Sequence, residues 1–252
     1  MRTLPRLLRA GSSSREPGMI PRRLGETGTN LTAWARDYVY AVRWQAAGLL
    51  GRWDPAHYRG AGEPGRTPVV LIPGIYESWT FLLPVAGLLR EHGHDVHVVE
   101  DLRFNTGSIE EMAALVDEHI RREGLERCVL VAHSKGGLIG KHLLAHHNER
   151  TAIQGLVAVN TPFSGSELAR LLPLPAIRVF LPHSPELTAL TTSREVDRHI
   201  VSVYGLFDPH IPGGSRLEGA HNVQLGTRGH FLPLSDPRVH DAILEGIGTL
   251  TR

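Results

Sequence analysis

From Thr67 onward the chain alternates short apolar runs with longer stretches in which apolar residues recur every three or four positions. Residues 68–72 are a run of the first kind, ended by the turn pair Pro73-Gly74, and 94–99, 127–132, 155–160, 200–204 and 222–225 repeat the pattern. Apolar runs of this length bounded by turn residues predict strands buried on both faces. Residues 79–91, 108–122, 135–147 and 236–250 carry the helical period instead, and Ser108 with Glu111 three positions on forms a capping box. Strands alternating with helices predict an α/β fold, a mostly parallel central sheet with helices on both faces. The interval 163–197 breaks the rhythm with Pro173, Pro175, Pro182 and Pro185 among leucine-rich pieces, and is expected to form a small cap or lid insertion.

Upstream the pattern differs. Residues 1–30, rich in Gly, Ser, Pro and Arg, are expected to be a disordered basic arm. Residues 31–51 predict a helix capped by Asn30 or Thr32, with Trp34, Tyr38, Val42, Gln45 and Leu49 along one stripe. That stripe has two readings: it packs on the domain behind it, or, flanked by Arg36, Arg43 and Arg52, it lies on a membrane surface. Residues 53–66 complete this helix-and-linker unit of 31–66, and 67–252 form the folded domain.

The 252 residues are enough for one sizeable core. The net charge of +1 excludes nothing by itself, but residues 1–66 hold eleven arginines against five acidic residues, and the remainder is net acidic. Only the arm is suited to an anionic surface, and nothing points to nucleic acid. The lone Cys128 sits in an apolar run, which predicts a buried thiol. No run approaches the roughly 18 apolar residues of a membrane span, and the N-terminus is interrupted by Pro5, Arg6 and Arg9, unlike a signal peptide. The expectation is a soluble, cytoplasmic protein with a possible peripheral membrane contact through 31–52; its oligomeric state is left open.

Four apolar strand residues run directly into Ser134, with small residues at 132, 136 and 137 and a helix immediately after. So tight a strand-to-helix turn lifts the hydroxyl above the sheet and aims the Lys135 N–H at the reacting oxygen. The segment Ala132-His-Ser-Lys-Gly136 resembles the Gly-x-Ser-x-Gly turn of the α/β-hydrolases, compact bacterial lipases and esterases in particular, with alanine in first place. The resemblance covers residues 67–250. It implies an α/β-hydrolase fold, a Ser-acid-His order along the chain, and no cofactor or metal.

Carried over residue by residue, the nucleophile is Ser134. The acid is Asp208, in the loop after strand 200–204, preferred over Asp197 and Glu195 on the wrong side of that strand. The base is His230 of the Gly229-His230 pair, preferred over His210, His221 and His240. The turn Leu71-Ile-Pro-Gly-Ile-Tyr76 resembles the family's oxyanion turn, which assigns the two backbone donors to Ile75 and Lys135. The segment Thr161-Pro-Phe-Ser-Gly-Ser166 resembles another family segment and is read as architectural support for the serine turn. Tyr76, Trp79 and Phe163 are expected to contact substrate. His133 is expected to pack into the sheet, and the Lys135 side chain either to be solvated or to attract an anionic substrate group. The histidines at 92–97 and at 142 and 146 do not make a metal site. The resulting expectation is a carboxylic-ester hydrolase acting on ester or lipid-like small molecules. An acyltransferase using the same acyl-enzyme, or a silent hydrolase-fold binding protein, are the alternatives.

Overall fold

The computed structural model describes residues 24–51, 53–60, 62–148, 152–172 and 174–252, with side chains from residue 30 onward. Among the described residues six strands form one sheet: β1 (Val69–Ile72), β2 (Val96–Val98), β3 (Cys128–His133), β4 (Ile153–Val159), β5 (Ile200–Phe207) and β6 (His221–Arg228). Their spatial order is β2-β1-β3-β4-β5-β6, and every neighbouring pair is parallel. Parallel strands need crossovers, and helices supply them on both faces. On one face α3 (Ile109–Arg122) and α4 (Lys135–His146) seal a core around Leu130, Ile139 and Leu156. On the other, α2 (Leu83–Glu91) and α6 (Pro237–Leu250) close over Leu71, Val131 and Val203. Ser108 caps α3 through the expected capping box. Cys128 is buried in β3, and burial pushes its thiol up to about 12.

The chain leaves β1 toward one edge and returns past it to β3. The strand order therefore reverses between β1 and β3, the position where such sheets open a crevice at their carboxyl ends. Both turns read from the sequence as chemical, 73–76 and 134–137, emerge there.

Three expectations need correction or limits. The helix placed at 31–51 is α1, Leu24–Leu50, and begins seven residues earlier. Asn30 and Thr32 are inside it rather than capping it, and Asn30 is hydrogen-bonded to Arg228 at the end of β6. Of the basic arm assigned to 1–30, residues 1–23 lie outside the described residues. The 53–66 linker is tied to the domain: the Gly60 N–H donates to Asp95 and the Glu63 N–H to the Gly93 carbonyl. Among the described residues the 163–197 interval holds the 3-10 turns Glu167–Leu171 and Pro175–Phe180 and a short helix, α5 (Pro185–Thr192), and a further turn, Arg194–His199, runs past its end.

Candidate active site

Ser134 follows β3 with φ 51° and ψ −119°, a left-handed conformation that costs a non-glycine residue of order 1–3 kcal/mol. The turn is held by close approach on two sides. A Cβ on Gly136 would lie 2.3 Å from the Ile72 carbonyl oxygen, and one on Gly137 would lie 2.0 Å from Thr161 Oγ1. The 161–166 segment thus abuts the serine turn, while Phe163 itself is buried in the core.

β5 delivers Asp208 and β6 delivers His230, past an irregularity of register between the two strands. The His230 Nδ1–H donates to Asp208 Oδ2 at 2.7 Å. That bond leaves Nε2 as the acceptor facing Ser134 Oγ at 3.0 Å. Asp208 Oδ1 also accepts the N–H groups of His210 and Ile211, so the residue is both a turn cap and a partner of the imidazole. Burial pushes the Asp208 carboxyl up, but the charge and hydrogen bond of His230 and the His210 N–H overcome it and leave its pKa lowered. Burial likewise opposes a charged His230, yet Asp208, and at longer range Glu77 and Asp37, hold its pKa above the ordinary histidine value.

The peptide groups of His230 are gripped as well. Its carbonyl accepts from His133 Nε2–H at 3.0 Å and from Asn160 Nδ2–H at 2.9 Å. His133 is fully buried, as expected, but it does more than pack: its Nδ1 lies 2.8 Å from Glu77 Oε1. Glu77 in turn accepts the Gly74 N–H, and a Cβ on Gly74 would collide with that carboxylate. One buried line therefore runs from the turn after β1, through Glu77 and His133, to the main chain of His230. Glu77 and Asp37, which accepts the His230 N–H, were missed in the sequence because only tertiary contact gives them partners.

Among the described residues the Ile75 N–H has no acceptor. Lys135, the first residue of α4, has an N–H that its own helix leaves unpaired. Both N–H groups named in the sequence thus lack an acceptor among the described residues, and Ile75 lines the same cavity as Ser134. The Lys135 side chain, however, turns away: it is fully buried, and its ammonium donates to the carbonyls of Asn105 (2.8 Å) and Gly107 (2.5 Å). The reading of a solvated or substrate-facing lysine is corrected. Asp197, a rejected candidate for the acid, pairs with Lys141 at 2.6 Å.

Ser134 and His230 open on a cavity of about 720 Å³. Ile75, Tyr76 and Phe81 form one side, and Leu168, Leu171, Leu172, Leu174, Ile177 and Phe180 another. The third side is α1, through Trp34, Tyr38, Ala41, Val42 and Gln45. The expected contacts of Trp79 and Phe163 are corrected: Trp79 packs edge-on against Tyr58, Phe163 lies in the core, and neither lines the cavity. The helical stripe on α1 meets the domain along this cavity and not in its core. Among the described residues of α1 the buried positions are Asp37 and Tyr40, while Trp34, Tyr38 and Val42 stay partly exposed along the cavity. Among the described residues no helix is long and apolar enough to cross a membrane, and no group of three or more His, Cys, Asp or Glu is placed to hold a metal.

The chain has the α/β-hydrolase fold. It is similar to the mature lipase BlEst2 of Bacillus licheniformis, at TM-score 0.59 and 17% identity over 77% of this chain and 96% of that one. A monoacylglycerol lipase of Paleococcus ferrophilus follows at TM-score 0.53 and 19% identity, over 73% and 96% of the two chains. An enol-lactonase of Burkholderia xenovorans LB400 gives TM-score 0.53 and 17% identity, over 74% and 94%. In sequence, the RutD protein of Variovorax paradoxus (strain S110), named for carbamate hydrolysis, is 34% identical over 116 residues. That match spans 42% of this chain and 42% of RutD, less than half of either. No family model matches the chain.

Proposed function

We propose that this chain is a serine hydrolase that cleaves carboxylic esters, lipid-like ones in particular, through an acyl-enzyme on Ser134. The observation that carries the reading is the hydrogen-bonded line Ser134–His230–Asp208 opening on a large, mainly apolar cavity. Ser134 Oγ attacks the acyl carbon while His230 Nε2 takes its proton. The oxyanion accepts from the N–H groups of Ile75 and Lys135, and loss of one such donor costs roughly 100- to 1,000-fold in rate. Collapse of the tetrahedral species expels the alcohol, which takes the proton back from His230. Water then enters by the same base and frees the acid.

Because His230 must be neutral to act as base, and its pKa is raised, hydrolysis is present above that pKa and falls away as pH drops through it. Among acyl groups the apolar walls favour hydrocarbon chains over polar ones, which supports an ester ahead of the carbamate named for RutD.

Labelling with a fluorophosphonate probe tests the reading. The wild type is expected to label at one residue and Ser134→Ala not at all. An unlabelled wild type would overturn it and leave a binding protein of the same fold. Turnover in the presence of a competing alcohol or thiol separates hydrolysis from acyl transfer: free acid is the expected product, and a new ester or thioester would identify a transferase.

A further inference from the structure

Helix α1 lies outside the alternating α/β core, yet its buried Asp37 carboxylate ends inside the loop that carries His230. Asp37 has no exposed surface. Its Oδ2 accepts the N–H of His230 at 2.9 Å, and its Oδ1 accepts those of Phe231 and Leu232, each at 2.7 Å. Three consecutive amides converge on one side chain that precedes them by more than 190 residues. Charge-assisted bonds of this kind are shorter and stronger than neutral ones.

The loop is shaped to receive that carboxylate. Gly229 has φ +111°, and a Cβ there would lie 2.6 Å from Asp37 Oδ1. On the far side the His230 carbonyl is held by His133 and Asn160. The peptide groups on either side of His230 are therefore fixed, one through α1 and one through β3 and β4. The neighbouring Tyr38 reaches the same histidine by another route: its ring stacks on His210 at 5.8 Å, and His210 lies 4.8 Å from His230.

We propose that Asp37 is a positioning residue for His230: it fixes the main chain of residues 229–232 so that the imidazole stays in line between Asp208 and Ser134. Helix α1 is then part of the catalytic apparatus and not an appendage to it. The inference rests on the serine-hydrolase reading given above. Around the His230 ring stand Asp208 from the end of β5, His210 beside it, His133 from β3, Glu77 from the turn after β1, and Asp37 from α1. Of these, the three carboxylates raise the basicity of His230 against its burial.

The test follows the second-order rate of fluorophosphonate labelling across pH in the full chain, its Asp37→Asn and Asp37→Ala variants, and Ser134→Ala. The stoichiometry of labelling counts competent molecules, so the rate is read per competent molecule. Both Asp37 variants are expected to label completely but more slowly, by about 10- to 100-fold, the scale on which misplacement of a reacting group acts. The acid midpoint is expected at lower pH, since a carboxylate that favours the imidazolium is gone. A slower rate with an unmoved midpoint still supports positioning, without the electrostatic part. Wild-type rate and midpoint per labelled molecule overturn the inference, whatever the labelled fraction. So does loss of a cooperative unfolding transition in both variants, since the carboxylate would then serve the fold and not the site. A wild type that never labels is a different result, and it removes the hydrolase reading itself.

Discussion

Lys135 occupies the position after the serine, and its two halves do separate things. The backbone N–H is left unpaired at the start of α4, while the ammonium is buried against the carbonyls of Asn105 and Gly107, with burial pushing its pKa down to about 8. Asn105 passes the contact on, its Nδ2–H donating to the Pro73 carbonyl, and the Tyr76 N–H donates to the Phe104 carbonyl. The lysine thus braces the loop that braces the turn bearing Ile75. Lys135→Met should leave two carbonyls without a donor, at about 1–3 kcal/mol for each buried group left unpaired. It should also slow acylation by neutral and anionic esters in equal proportion. Thermal unfolding and kcat/KM on a matched pair of esters check this; a loss confined to anionic esters would mean that the side chain reaches substrate after all.

At the scale of elements, the serine turn works because α4 starts in a gap one backbone wide. Gly136 lies against the carbonyl of Ile72 at the end of β1, and Gly137 against Thr161 after β4. Gly136→Ala should cost about 1–3 kcal/mol of overpacking, since backbone rather than a flexible side chain is in the way. It should also push α4 off β1 and cut fluorophosphonate labelling about 100-fold, the scale of a 1 Å misplacement; near-wild-type labelling would show that the two turns move independently. The sequence made these turns legible because their causes are local: apolar runs mark the strands, and glycines mark where chains approach. Ser134, Asp208 and His230 were readable for the same reason, each following a strand. Asp37 was not. A polar residue inside an amphipathic pattern looks solvent-facing, and its satisfaction by amides of residues 230–232 is a tertiary fact with no local trace. The helical period left Trp34, Tyr38 and Val42 with two readings, packing on the domain or lying on a membrane surface, and the structure places them along the cavity. Trp79 and Phe163 failed in the opposite sense, being aromatic, near the site in sequence, and consumed by packing.

The whole molecule brings two segments far apart in the chain, α1 and the 163–181 interval, to the lining of one cavity. Trp34 and Val42 from α1 meet Leu168, Leu171, Leu172 and Leu174 around the same cavity, and each is well exposed; Leu171 is 74% accessible. Exposed apolar side chains scattered singly are ordinary, but a ring of them around a mouth adds up to a patch whose burial is worth about 25 cal/mol for each Å² removed from water. Residues 1–66, the part of the chain that includes α1, are net basic while the rest is net acidic. A surface both apolar and anionic, such as a phospholipid bilayer, would satisfy the ring and the charge together, and it would present ester substrate directly at the opening. The full chain should therefore sediment with vesicles containing anionic phospholipid. Trp34→Glu combined with Leu171→Glu should reduce that binding at least tenfold, because two carboxylates at the contact both forfeit apolar burial and meet like charge. Both side chains are exposed to solvent, so kcat on a short water-soluble ester should fall much less than vesicle binding does. Equal sedimentation of the wild type and the double variant would show that the ring serves only the acyl chain inside the cavity.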